Sequence, residues 1–142
     1  MLDGDLTFAP ARILVTYGTN DWTLKSSSEF AHEAERFVFR LRTLFPQTPI
    51  ALISPIWRAD ADIPKDSSFP FDHVHDILRT IASSGKNIHF ISGIPLMPHV
   101  KELYFDCSVH PNEIGFTRLH QKSSEFPKSF RFHMSTWFII SK

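Results

Sequence analysis

The chain has 142 residues, enough for one domain with a buried core. Its 15 Lys and Arg balance 15 Asp and Glu, so no excess of positive charge marks it for nucleic acid or anionic lipid. An apolar content of 42% excludes a disordered chain, a single cysteine (Cys107) excludes an internal disulfide, and no apolar run is long enough to span a bilayer.

In chain order, "MLDGDLTFAP" has neither the basic start nor the apolar centre of a signal peptide, so a cytoplasmic protein is expected. "ARILVTY" (residues 11–17) is a short run rich in branched residues, as a strand buried on both faces would be. It stops at "GTNDW", where Gly18 permits a tight turn and Asn20 and Asp21 follow. Ser26 and Glu29 have the spacing of a capping box, and Phe30, Ala34, Phe37, Leu41 and Leu44 fall on one helical face before Pro46 ends the helix. "IALISPI" (residues 50–56) is a second strand pattern. A polar loop carrying Trp57 and Arg58 leads to a second helix that turns Val74, Ile77, Leu78 and Ile81 inward, with Gly85 at its C-terminal cap. "IHFISG" (residues 88–93) is a third strand.

Strand, helix, strand, helix, strand, with crossovers this long, predicts a parallel sheet covered by helices, and the ligand site of such a sheet gathers beyond the carboxyl ends of its strands. "GTNDW" and "SPIWR" both fall there. Trp57 and Arg58 are therefore candidates to line a substrate cleft, or else a packed Trp with a salt-bridged Arg. Asn20 is either an ordinary turn residue or a side-chain amide aimed at a developing negative charge.

Further along, "FDCSVHPNEIGF" (residues 105–116) places His110 before Pro111, which holds the preceding residue extended and the imidazole on a stiff loop. A histidine is the natural general base at neutral pH, and Asp106 can orient it if the loop bulges. Asn112 and Glu113 open a helix. The remaining histidines do not predict a metal site: His73 and His75 are two apart on a helix and share no face, and with His89 and His99 they are expected on the surface. Cys107 is expected to be a small buried hydrophobe, with a thiolate beside His110 as the alternative.

"GTND" followed by "HPNEIGF", with "FPQTPIALISPIWR" and "IHFISGIPLMP" between, resembles the third and fifth sequence blocks of the SGNH hydrolases, also called the GDSL esterase/lipase family. The likeness runs from about Ala9 to Leu119. It implies a three-layer α/β/α sandwich with a parallel sheet, the flavodoxin-like SGNH hydrolase fold, and hydrolysis of a small-molecule carboxylic ester without cofactor or metal. Asn20 would then be the oxyanion donor, with Gly18 turning the chain before it. His110 would be the histidine that deprotonates a serine, and Asp106 its orienting acid.

Three departures stand out. The family's "GDS" serine block and its block-two glycine precede "GxND", whereas here "GTND" begins at residue 18; Ser26 to Ser28 and Ser92 do not replace that serine. The family pattern is DxxH, but Cys107 stands three residues before His110 and Asp106 four. The segment from residue 120 meets Pro127 and an aromatic run (Phe130, Phe132, Trp137, Phe138) without a steady period, a divergent tail or the product of a frame shift. Residues 1–142 therefore read as one partial domain, shortened at its amino end. Little or no hydrolysis is expected from it alone, and self-association through the exposed sheet edge is expected. A non-catalytic binding module on a degenerate esterase scaffold is the rival reading, and an enzyme completed in trans by a second chain is a third.

Overall fold

A computed structural model describes residues 10–63, 69–123 and 137–141 of the chain. Four strands form one fully parallel sheet: β1 (Arg12–Thr16), β2 (Ile50–Ile53), β3 (Ile88–Ile91) and β4 (Trp137–Ser141), in the order β3-β2-β1-β4. Among the described residues three α-helices accompany them: α1 (Ser27–Leu44), α2 (Phe71–Ser84) and α3 (Glu113–Ser123).

The residue patterns explain these elements. In β1 the three central residues are buried, and in β2 all four are, as expected of inner strands covered on both faces. Ile13 and Val15 join the larger core, with Phe30, Ala34, Val38 and Leu41 of α1 and Val74 and Leu78 of α2. Leu14, Ala51, Ile53 and Ile91 point the other way, onto Leu96 and onto Leu119 of α3. One face thus carries α1 and α2, the other α3, and the molecule is a three-layer α/β/α sandwich. α1 and α2 lie on the same face because successive right-handed crossovers step across the sheet in one direction.

The capping box at the start of α1 is formed: the Glu29 amide donates to Ser26 Oγ at 3.3 Å and the Ser26 amide to Glu29 Oε2 at 2.9 Å. The buried stripe of α1 runs through Val38 rather than through Leu44, which is 37% exposed at the end of the helix. Gly85 does cap α2, but in an extended conformation; the left-handed residue in the turn to β3 is Asn87, with φ 59°. His75, expected on the surface, is buried against the sheet, and Cys107, expected buried, is exposed.

The tail holds the largest difference. β4 lies parallel to β1 with Arg12 level with Trp137 and Thr16 with Ser141, so the outer edge of β1, expected to be open, is covered. "WFIIS" reads as part of an irregular aromatic run because the residues before it mask its strand pattern. The stretch expected to diverge, residues 120–142, thus begins as the end of α3 and closes as a strand. The N-terminal "MLDGDLTFA", Pro127, Phe130 and Phe132 lie outside the described residues.

Candidate active site

Three loops leave the carboxyl ends of the strands on one rim. The first is Gly18–Asn20, after β1. Gly18 has φ 104°, and a Cβ there would come within 2.9 Å of Phe30 Cζ and 3.0 Å of Val74 Cγ1, so only glycine lets the chain turn this close beneath both helices. Asn20 follows as an exposed residue whose side chain makes no cap hydrogen bond; its carbonyl instead accepts from Thr23 Oγ1 at 3.1 Å. Asp21 is nearly buried and paired with Lys25, so its carboxylate is part of the turn rather than of the rim.

The second loop, Trp57–Asp60, follows β2. Arg58 is 6% exposed, and its guanidinium grips both oxygens of Asp60, Nε to Oδ1 at 2.7 Å and Nη2 to Oδ2 at 2.8 Å. Its remaining nitrogen donates to the Thr19 carbonyl, and the group lies 4.9 Å from the centre of the Trp22 ring. Arg58 is therefore a buried clamp on the Asn20 loop, the packed and salt-bridged alternative for this residue. Trp57 is half-buried and does line a cavity.

The third loop carries His110. Asp106 reaches it despite the offset from the family spacing, because Cys107 adopts a left-handed conformation with φ 55° and the chain bulges there. His110 Nδ1 lies 2.7 Å from Asp106 Oδ2. The other carboxylate oxygen accepts the backbone N–H groups of Ser108 (3.0 Å), Val109 (2.8 Å) and His110 (3.1 Å). The His110 hydrogen bond first, then those amides, hold the Asp106 carboxyl well below the usual carboxylate range. A carboxylate at Nδ1 keeps the proton there and leaves Nε2 to act as base. His110 itself is exposed. Asn112, two residues on, is a scaffold residue: its Oδ1 accepts from the Gly115 amide at 3.0 Å at the start of α3, and its Nδ2 donates to the Glu102 carbonyl at 2.7 Å.

The second loop ties the other two together. Arg58 holds the Thr19 carbonyl on one side, while on the other the Ala59 amide donates to the Ser108 carbonyl at 3.0 Å and the Tyr104 hydroxyl to the Trp57 carbonyl. The backbones before Asn20 and before His110 are thus fastened to one four-residue segment.

No family profile and no curated protein matches the sequence. Among solved structures, a salicylyl-acyltransferase from a tetracycline biosynthetic pathway superposes with TM-score 0.68 at 23% identity, over 81% of this chain and 36% of that one. A putative GDSL-like lipase from Bacteroides ovatus superposes with TM-score 0.58 at 24% identity, over 70% of this chain and 31% of that one. The chain has the SGNH hydrolase fold. It spans about a third of the length of either of these SGNH-fold chains.

Sequence reasoning missed a second polar pair on this fold. Ser54, directly after β2, has its Oγ 2.7 Å from His75 Nδ1 and accepts the Gly93 amide at 2.9 Å. Both side chains are buried, and burial holds His75 below its ordinary pKa. The signal was present: His75 lies one residue after Val74 and three before Leu78, within the apolar stripe. Among the described residues no three of His, Cys, Asp and Glu are grouped to hold a metal ion.

Proposed function

We propose that this chain carries the base and the oxyanion donor of an SGNH-type ester hydrolase, acting on a carboxylic ester of a small molecule. The observation that supports this most is the tether: one segment, Trp57–Asp60, is bonded both to the residue before Asn20 and to the loop that presents His110 against Asp106. A turn glycine and a loop histidine without a shared purpose have no need of common bracing.

In this reading a serine hydroxyl attacks the ester carbonyl while His110 Nε2 takes its proton. The negative charge that develops on the carbonyl oxygen is received by the Asn20 amide. Collapse breaks the bond to the alkoxy oxygen, which leaves with the proton from His110. Water then repeats the sequence on the acyl-serine. Asp106 keeps His110 in the productive tautomer and offsets its charge while it is protonated.

The family's serine block is not in this sequence, so the serine is the open part of the proposal. Ser54 is buried and engaged with His75 and Gly93, which leaves it unsuited. Ser141 ends β4 level with Thr16, beside the strand that leads into Gly18–Asn20, and is the serine to test within this chain. With p-nitrophenyl acetate the expected outcome is slow hydrolysis, abolished in Ser141→Ala and His110→Ala and lowered about 100-fold in Asn20→Ala. Hydrolysis that survives His110→Ala overturns the reading. The missing serine block also favours a second reading, a binding module without turnover, and an intact chain that binds esters without cleaving them would establish it.

A further inference from the structure

We infer that the cavity beside the Asn20 loop is a site for an organic cation, and that an ester bound at this rim carries an amine or quaternary ammonium group on the part that enters it. The inference rests on the esterase reading for the word ester, and on the cavity's own chemistry for the cation.

The cavity has a volume of about 550 Å³, the size of a small-molecule site. Four rings line it: Trp22, two residues after Asn20; Trp57, one before Arg58; and Phe69 and Phe71. The ring walls are held in place. Trp22 is 1% exposed and its indole N–H donates to the Phe69 carbonyl, while its ring meets that of Phe71 edge-on with centroids 4.9 Å apart. Trp57 stacks on His99 at 5.0 Å with 13° between the planes. Trp57 and Phe69 are the partly exposed rings of this wall, and the buried Trp22 and Phe71 back it, so it costs little entropy on binding.

Among the described residues, the carboxylates of Asp62 and Asp72 are the charged groups of the lining. Asp62 and Asp72 contribute exposed carboxylates, and neither forms an ion pair among the described residues. No Lys or Arg lines the cavity among those residues. Arg58 lies near, against the Trp22 ring, but its charge is matched by the two-point contact with Asp60. Partly exposed aromatic rings together with two exposed carboxylates attract an alkylammonium group and repel a carboxylate. A purely apolar ligand would gain from the rings and nothing from the two aspartates.

Titrating the intact chain with benzyltrimethylammonium, benzyl alcohol and benzoate, and following the tryptophan fluorescence, tests this. The cation is expected to bind about 10-fold more tightly than the alcohol, and benzoate more weakly than either. In the double variant Asp62→Asn, Asp72→Asn the cation's advantage is expected to shrink several-fold, and in the native chain added salt is expected to weaken the cation alone. Equal or tighter binding of benzyl alcohol or benzoate, absence of saturable cation binding, or an advantage that survives the double variant overturns the inference. Because the readout is binding, an inactive chain that still selects the cation would overturn the esterase reading and leave this site assigned.

Discussion

At the scale of single residues, the site depends more on a buried arginine than on the groups that would do chemistry. Removing Arg58 takes the two-point contact from the Asp60 carboxylate, only 14% exposed, and frees the Thr19 carbonyl. Arg58→Ala is expected to cost about 3 kcal/mol in urea unfolding. Arg58→Lys is expected to recover only part of this, since an ammonium cannot make the two-point contact and reach Thr19 as well. His75 sets a second expectation. Burial lowers its pKa from the ordinary 6.5, so the unfolded chain takes up the proton first as the solution is acidified. The stability due to a neutral His75 is complete above about pH 6.5 and drains away below it until the folded ring protonates too. Thermal midpoints measured from pH 7.5 down to 5 should fall, and fall less steeply in His75→Gln.

At the scale of elements, the legible parts were those with a periodic pattern or a local chemical signal. The branched runs of β1 and β2, the Ser26–Glu29 box and the stripe of α2 each announce themselves within a few residues. The hold of Arg58 on Thr19 and the Ser54–His75 pair did not, because each joins residues 21 or more apart. The contact between Asp106 and His110 was legible only as a condition on the backbone between them, and Cys107 meets that condition with a left-handed φ. Cys107→Gly should keep the bulge, whereas Cys107→Val should strain it by roughly 1–2 kcal/mol. Carbon-13 titration of the Asp106 carboxyl should then show it ionised well below the usual range in the native chain and in Cys107→Gly, and shifted back toward that range in Cys107→Val.

At the scale of the whole molecule, the α/β/α order was legible from the alternation of strands and helices, while the full sheet was not, since no local feature says which strand a distant segment will join. β4 is the case in point: its five residues lie beside β1 across a separation of 125 residues, from Arg12 to Trp137. A chain ended after Ser123 should therefore lose the cover on β1 and pair with other copies, which sedimentation velocity would report as concentration-dependent association.

The same pairing also governs the order of events during synthesis. β1 leaves the ribosome 125 residues ahead of its outer neighbour, so the ladder stays one-sided while that stretch is synthesised. Closing so long a loop is entropically slow. The rim that carries the Asn20 and His110 loops is thus finished on one flank before the other, and the nascent chain spends that interval with one edge of β1 still in search of a partner.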